Sequence, residues 1–309
     1  MNGMEGFLVG MWHYIVPKEG LPVKITGELC SLENFRSQLQ KIKEKFNIVS
    51  TSTLIESIKK KEELPSNSLM LTFDDGTKDH YQVVLPVLQE MGLTATFFVL
   101  TAPLMGRIPS TFKLQLICGN NDPQVVRHEI FPTVLREHGL ERYLENIESG
   151  TYYFELREIG EVKWTCNVKM KPEEKDVVIE DMFREFFTGE IELVNKMFLN
   201  KSEVTTLHQA GMTIGSHGVN HQTMSTLLSE HLERELNESK RFLEETLGSR
   251  VTTLGYPGCQ PPKDIEKIRE AGYLAAFACN INPPINRPPY DILALRRIHE
   301  KDMEKEFLK

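Results

Sequence analysis

Apolar residues occur along the chain in short continuous runs, separated by segments in which they recur every three or four residues. The first run, FLVGMWHYIVP, is rich in aromatic and β-branched residues and predicts a buried strand. The segment 31–46 has the three- and four-residue spacing of one helix face. The chain therefore opens with a strand followed by a helix.

The same alternation continues on both sides of a central region. Before it, we expect a short strand at 47–50, a helix at about 52–61, a strand at 67–73, a helix at 81–91 closed by Gly92, and a strand at 94–100. After it, we expect helices at 201–210, 229–247 (closed by Gly248) and 263–271, and strands at 212–216, 251–256, 274–279 and 292–298. Repeated strand–helix units with buried strands predict an α/β fold with a parallel sheet, either open or closed into a regular or distorted barrel.

The region 103–198 breaks this alternation. Residues 151–169 alternate between apolar and polar types, as in a hairpin that turns near Ile159 and Gly160, and 172–187 is an acidic helical stretch. We interpret 103–198 as an inserted α+β segment or cap within a single domain that spans 1–309. Nothing in this region indicates a ligand.

Composition narrows the class of protein. The chain has 309 residues, 40% of them hydrophobic, which fits one large α/β domain. A net charge of −8 gives no sign of the basic face that nucleic-acid binding requires. No run approaches the roughly 18 apolar residues of a membrane span, and the first residues lack the pattern of a secretory signal.

The cysteines are odd in number and scattered, and none form a C-x-x-C pair. They are Cys30, Cys118, Cys166, Cys259 and Cys279. The pattern indicates neither a disulfide framework nor a thiolate metal site. We therefore expect a cytoplasmic protein, and the sequence leaves its oligomeric state open.

Two strand ends carry residues suited to metal chemistry. The strand SLMLTF runs into Asp74, Asp75 and Gly76, which a simple turn would also explain. The segment MTIGSHGVNH places His217 and His221 after another strand, four residues apart. Functional residues of parallel α/β proteins collect at the carboxyl ends of strands. Two imidazoles and one carboxylate form a three-ligand site with open positions, as catalytic zinc requires, although non-haem iron oxygenases use the same set.

In combination, LTFDDGT and GSHGVNH resemble the motifs of the NodB-homology polysaccharide deacetylases, carbohydrate esterase family four. The resemblance covers about 1–102 and 199–300 and implies a distorted (β/α) barrel. The segment MWHYIVP is similar to a branch with an N-terminal histidine strand, which includes poly-N-acetylglucosamine deacetylases and homologues from bacterial surface-sugar synthesis. The resemblance implies a metal-dependent hydrolase that removes an acyl group from an amino sugar or glycan precursor.

Carried over by position, the family roles make Asp74 the general base and Asp75, His217 and His221 the ligands of a divalent metal. Zinc is the default metal, with cobalt or nickel as alternatives. The leaving amine needs a proton donor, and the resemblance implies His13 for this role. Its competitors are His80, which closely follows the acidic motif, and His299, which follows the last strand.

The chain departs from the family at its third motif, R-x-P-Y-G. Gly255 occupies the arginine position in TLGYPGCQPP, while Tyr256 and Pro257 remain, and the Tyr256 N–H is a candidate donor to the oxyanion. Arg297, at the end of the last strand, either replaces the missing arginine beside Asp74 or is a surface charge.

Other functions stay open at this point. They are hydrolysis of another C–N bond, such as a ureide or cyclic amide, a catalytically weakened carbohydrate-binding homologue, and an iron oxygenase, against which the strand–helix alternation argues.

Overall fold

The computed structural model describes residues 5–27, 29–148, 150, 155–279 and 282–309. Its strands are β1 (Phe7–Trp12), β2 (Tyr14–Val16), β3 (Leu29–Ser31), β4 (Asn47–Ile48), β5 (Ser68–Phe73), β6 (Thr96–Val99), β7 (Thr213–Ser216), β8 (Thr253–Gly255), β9 (Ala275–Ala278), β10 (Leu295–Arg296) and β11 (Ile298–His299).

The α-helices are α1 (Leu32–Lys45), α2 (Thr51–Lys60), α3 (Leu85–Met91), α4 (Thr101–Leu104), α5 (Ser110–Asn120), α6 (Pro123–Val125), α7 (Phe131–Glu137), α8 (Arg157–Trp164), α9 (Pro172–Phe186), α10 (Glu190–Met197), α11 (Lys201–Gln209), α12 (Ser229–Leu247), α13 (Glu266–Glu270) and α14 (Glu300–Phe307). Short π-helical turns cover His80–Val84, Val126–Ile130 and Thr165–Lys169, and 3-10 turns cover Glu141–Leu144 and Met224–Thr226.

Nine strands form one parallel sheet in the order β10-β9-β8-β7-β6-β5-β1-β11, with β4 also paired to β5. The two edge strands, β10 and β11, are neighbours in sequence, and only Arg297 separates them. The two edges of the sheet therefore come close together, and helices surround a nearly closed barrel. The predicted distorted (β/α) barrel is confirmed.

Both faces of the sheet are buried, as the continuous apolar runs predict. On β1, Leu8 packs in one cluster with side chains of the surrounding helices, while Phe7 and Val9 pack in a second cluster on the opposite face. On β5, Leu69 and Met70 divide between the same two clusters. The strands are thus fixed in register on both faces, which fixes where their carboxyl ends lie.

Local signals define the helix ends near the sheet. The Ser31 hydroxyl accepts a hydrogen bond from the Asn34 N–H and caps α1. Gly92 and Gly248 end α3 and α12 in the left-handed conformation, with φ of 65° and 64°. These ends were predicted from the sequence.

The contacts divide the chain into two compact units. The first comprises the described parts of Met1–Gly20, Glu28–Met105 and Phe198–Lys309, and it contains all eleven strands. The second comprises Leu21–Gly27 and Gly106–Met197. Its described elements are helical, and ion pairs such as Lys113 with Glu180, at 2.6 Å, join them.

The predicted hairpin in the second unit is wrong over the part that the structure describes, because 157–169 is helical. Residues 151–154 lie outside the described residues. Ile159, Val162 and Cys166 are buried at helical spacing. The intervening Glu161 and Lys163 are also largely buried, in ion pairs with Arg127 and Glu155. Paired charges on a buried helix face therefore gave the segment the alternation of a strand.

A disulfide joins Cys259 and Cys279, so the prediction that the cysteines form no disulfide is wrong for this pair. The two residues follow the adjacent strands β8 and β9, which brings them together across 20 positions of sequence. The other three cysteines are free and buried. In the part of the chain that the structure describes, every helix is too short or too polar to cross a membrane.

Candidate active site

The register of β1 and β5 places His13 beside Asp74. These parallel strands pair Trp12 with Phe73, so the next residue of each chain segment leaves the sheet at the same edge. The Asp74 N–H donates a hydrogen bond to the Trp12 carbonyl over 3.0 Å, which extends the pairing by one residue. The first aspartate and the N-terminal histidine are therefore brought together by strand pairing.

A second set of strand ends brings in the histidine motif. β6 and β7 pair Val99 with Ser216, and β7 and β8 pair Ser216 with Leu254. The His217 N–H donates to the Val99 carbonyl over 3.0 Å. Since all these strands are parallel, His217 lies at the same edge of the barrel as the acidic motif.

Three potential metal ligands converge at this edge. The Nε2 atoms of His217 and His221 lie 3.3 and 3.4 Å from Asp75 Oδ1, and one ligand atom from each of the three residues lies within 4.8 Å of the others. Asp75 and His217 are buried, and the His221 side chain is 20% exposed. The site is therefore enclosed on the protein side and reachable at His221.

The hydrogen bonds around this cluster fit a cation. The His217 Nδ1–H donates to the Gly255 carbonyl over 2.8 Å, so a neutral imidazole presents a lone pair at Nε2. That lone pair faces Asp75 Oδ1, a buried acceptor that has no hydrogen-bond partner among the described residues. Acceptors that converge without a donor between them are the arrangement that a metal satisfies.

Two of the three candidate ligands have strained backbones. Asp75 and His221 have φ of 79° and 54°, which lie in the left-handed region. This conformation costs a residue other than glycine about 1–2 kcal/mol. Gly76 follows with φ of 68°. Such strain persists only where the surrounding structure fixes it, and it clusters at functional sites.

The two oxygens of Asp74 have different surroundings. Oδ1 accepts a hydrogen bond from Arg297 Nη1 over 2.6 Å, while Oδ2 lies 4.0 Å from the Nε2 atoms of both His13 and His217. Burial raises the pKa of Asp74, but Arg297, His217 and His13 lower it by more, so the net pKa is below its usual range.

The structure distinguishes the two interpretations of Arg297. The side chain is fully buried, pairs with Asp74, and lies over the ring of Phe98 with 5.4 Å between the guanidinium carbon and the ring centroid. It is not a surface charge. A Cβ at Gly255 would lie 2.7 Å from Phe98 Cγ, so no arginine fits at the family position in this chain.

The three candidate proton donors are separated clearly. His13 faces Asp74, and its ring stacks on that of His299 with centroids 6.0 Å apart. The His80 ring is fully buried, with Nε2 3.0 Å from the His13 carbonyl oxygen, so it contacts the backbone between β1 and β2. His299 contacts the Glu300 carboxylate and caps α14. Of the three, His13 is the one whose Nε2 lies 4.0 Å from Asp74 Oδ2.

The prediction for Tyr256 is wrong. Its N–H donates to the Phe277 carbonyl over 3.0 Å as part of the β8–β9 pairing, and its hydroxyl donates to the Leu293 carbonyl over 2.6 Å. With both donors engaged and the side chain buried, Tyr256 has no N–H to offer an oxyanion. Pro257 is buried beside it, and a substrate contact by Pro257 stays a prediction.

Sequence reasoning missed two buried carboxylates that support this edge. Asp79 accepts a hydrogen bond from the Ile15 N–H over 2.7 Å, and burial raises its pKa. Glu235, on α12, accepts hydrogen bonds from Val219 and Asn220 in the loop between the two histidines. The sequence could have indicated the burial of Glu235, because Glu235 lies on the same buried face of α12 as the apolar residues.

Comparison with known proteins agrees with this geometry. The model of the polysaccharide deacetylase family matches residues 61–121 and 182–276, just over half of the chain, and these ranges include both motifs. No curated protein matches the sequence.

Solved structures share the fold at low sequence identity. IcaB from Ammonifex degensii is 15% identical to this chain, with a TM-score of 0.60. The alignment covers 99% of this chain and 97% of IcaB. The deacetylase PplD from Streptococcus pyogenes, solved with acetate, is 16% identical with a TM-score of 0.58, covering 96% and 93%. The BpsB deacetylase domain from Bordetella bronchiseptica is 14% identical with a TM-score of 0.57, covering 97% of each chain. Both motifs lie at one edge of the barrel, and the family model matches just over half of this chain. The chain therefore belongs to the polysaccharide deacetylase family.

Proposed function

We propose that this protein is a metal-dependent deacetylase that hydrolyses the N-acyl group of an amino sugar or glycan precursor. The observation that carries the proposal is the convergence of three acceptor atoms, from Asp75, His217 and His221, next to a second carboxylate held by Arg297. Family membership supports deacetylation of a sugar.

The donor set suits a borderline divalent metal, with zinc as the default and cobalt or nickel as alternatives. When bound, such a metal supplies Lewis acidity that makes a water nucleophilic near neutral pH. Asp75, His217 and His221 would hold it and leave further coordination positions open for water and substrate.

Asp74 and His13 divide the proton transfers. Arg297 holds Asp74 Oδ1 and keeps the carboxylate ionised, which leaves Oδ2 to accept a proton from the attacking water. The new C–O bond forms at the acyl carbon, and the C–N bond then breaks as His13 donates a proton to the leaving amine. The 4.0 Å between His13 Nε2 and Asp74 Oδ2 leaves the two groups close enough to act on one substrate.

The oxyanion donor is reassigned within the motif loop. Tyr256 and Cys259 use their N–H groups within the protein, and Pro257 has none. The Gly258 N–H is left without a hydrogen-bond partner among the described residues. We assign the stabilisation of the oxyanion to this N–H.

The family and the resemblance to poly-N-acetylglucosamine deacetylases support an N-acylated amino sugar as the substrate class. The cytoplasmic location stays a prediction, and the disulfide removes the cysteine pattern as a reason for it. Within a cell, the protein would act in carbohydrate metabolism on an acylated amino sugar.

The test is a screen for amine release from N-acetylated monosaccharides, nucleotide sugars and short chito-oligomers. Asp74→Asn and His13→Ala are run beside the parent, with Asp302→Asn, an exposed aspartate, as the matched control. We expect the first two variants to lose at least about 100-fold in turnover and the control to match the parent. Full turnover by His13→Ala would refute its role as the acid.

The screen also separates the alternative functions. Stoichiometric metal with no amine release would support a carbohydrate-binding homologue, and release from ureides or cyclic amides alone would support another C–N hydrolase. Dependence of turnover on dioxygen would support an oxygenase.

A further inference from the structure

The loop between the two histidine ligands is attached to α12 by one buried carboxylate. Glu235 Oε2 accepts hydrogen bonds from the Val219 N–H over 2.6 Å and the Asn220 N–H over 3.1 Å. Glu235 Oε1 accepts from Asn220 Nδ2 over 2.9 Å. Glu235 is only 6% exposed. A single side chain therefore holds two of the three residues that separate His217 from His221.

The opposite side of the loop is fixed as well. The carbonyls of Gly218 and Val219 accept hydrogen bonds from the N–H groups of Thr101 and Ala102, over 3.2 and 3.1 Å. With Glu235 on the amide side and α4 on the carbonyl side, the backbone between the ligands has little freedom. The protein's own hydrogen bonds therefore fix the geometry of the loop.

Close packing against Glu235 shapes the loop sequence. Gly218 has φ of 78°, and a Cβ at this position would lie 2.8 Å from Glu235 Oε2. Glycine is therefore required both by the backbone conformation and by the approach of the carboxylate. This requirement explains why a glycine directly follows the first histidine ligand.

Holding the loop would not by itself require Glu235 to be charged. Its donors are neutral amides, which a neutral oxygen acceptor would also satisfy in part, and burying a carboxylate is costly. The segment that it holds ends in metal ligands on both sides. A cation bound by those ligands would compensate the buried negative charge through the loop.

We propose that Glu235 is a positioning residue for the metal centre, which sets the spacing of His217 and His221 and raises the affinity of the site for a divalent cation. The proposal rests on the metal site of the proposed function. Residues that hydrogen-bond directly to metal ligands typically contribute about 10- to 100-fold to metal affinity, and we apply this range to Glu235, which holds the loop between the two ligands. We expect a loss of this size on removing the charge of Glu235.

The experiment measures metal binding without substrate. Chelator-treated parent, Glu235→Gln and Glu238→Gln are titrated with Zn²⁺ alone against a chromophoric competitor. Glu238 is exposed on the same helix and serves as the matched control. We expect Glu235→Gln to bind Zn²⁺ about 10- to 100-fold more weakly and Glu238→Gln to bind like the parent.

Two further measurements separate positioning from a general loss of fold. The thermal unfolding of the metal-free proteins shows whether Glu235→Gln folds, and Asn220→Ala, which removes one of the bonds to Glu235, provides a milder variant with an expected several-fold loss. The visible spectrum of bound Co²⁺ reports ligand geometry, and we expect its bands to shift in Glu235→Gln but not in Glu238→Gln.

Parent-like Zn²⁺ affinity and an unchanged Co²⁺ spectrum in folded Glu235→Gln would overturn the proposal. A parent that binds no Zn²⁺ would overturn the metal site itself, and the proposal with it. A parent that binds Zn²⁺ but releases no amine would refute the proposed activity while the affinities still decide the role of Glu235.

Discussion

Replacing Arg297 with methionine removes the guanidinium beside Asp74 and keeps much of the apolar volume. The 2.6 Å contact corresponds to about 6 kcal/mol of gross attraction at an effective dielectric constant of about 20. Loss of solvation offsets much of this attraction in the intact pair, but removing one partner leaves the other charge buried and uncompensated. We therefore expect Arg297→Met to lower the free energy of unfolding by about 3–5 kcal/mol.

A double-mutant cycle with Asp74→Asn identifies the cause. The double variant has neither buried charge, so we expect it to be more stable than Arg297→Met alone. The assay is urea unfolding followed by circular dichroism at neutral pH. All proteins are treated with chelator, because a bound metal would stabilise the native state by mass action. Arg241→Met, at a residue whose side chain is 74% exposed, is the control and should change stability by less than about 0.5 kcal/mol.

A cost below about 1 kcal/mol for Arg297→Met would refute the reasoning, as would a double variant whose cost equals the sum of the two single costs.

The same substitution should also change the pH dependence of activity. Arg297 lowers the pKa of Asp74 against the opposing effect of burial, so its removal raises that pKa. The acidic limb of the activity profile should then move to higher pH.

Three further predictions follow from other contacts. Burial opposes ionisation of Glu161, but Arg127 and Arg157 lower its pKa below the ordinary value of 4.5. The ionised Glu161 therefore stabilises the folded protein fully above pH 4.5, and this stabilisation is lost as the pH falls through the pKa of the folded state. Glu161→Gln should therefore cost about 1–3 kcal/mol in urea unfolding at pH 7 and progressively less below pH 4.5, and a pH-independent cost would contradict this. Gly255→Ala should destabilise the fold by about 1–3 kcal/mol, because its Cβ would meet the Phe98 ring; an unchanged melting temperature would count against the steric argument. Chelation should abolish amine release and Zn²⁺ should restore it, and full activity after verified metal removal would exclude a metal-dependent mechanism.

The sequence predicted the position of the candidate site because parallel strands impose it. Once 67–73 and 212–216 are recognised as strands, their carboxyl ends lie at one edge of the sheet. The residues that follow them, Asp75 and His217, are then brought together without any knowledge of side-chain contacts. The structure places them 3.3 Å apart.

The predictions that were wrong depended on contacts between residues far apart in the sequence, which no local pattern encodes. Tyr256 was a plausible backbone donor until the β8–β9 pairing engaged its N–H. Cys259 and Cys279 seemed unrelated because their approach depends on the register of the same two strands. Glu161 gave helix α8 a strand-like pattern, since its burial depends on Arg127, 34 positions away in the sequence.

The arginine shows how the closure of the barrel and the chemistry of the site are joined. Phe98 fills the space beside Gly255, which excludes an arginine there, and its ring also lies against the guanidinium of Arg297. Arg297 lies between β10 and β11, the strands at the two edges of the sheet, and it reaches Asp74 from 223 positions away in the sequence. The charge that holds the proposed base, Asp74, therefore comes from the residue at which the two edges meet. Any substitution that opens the barrel at this point should also release Asp74, so stability and the acidic limb of catalysis should change together.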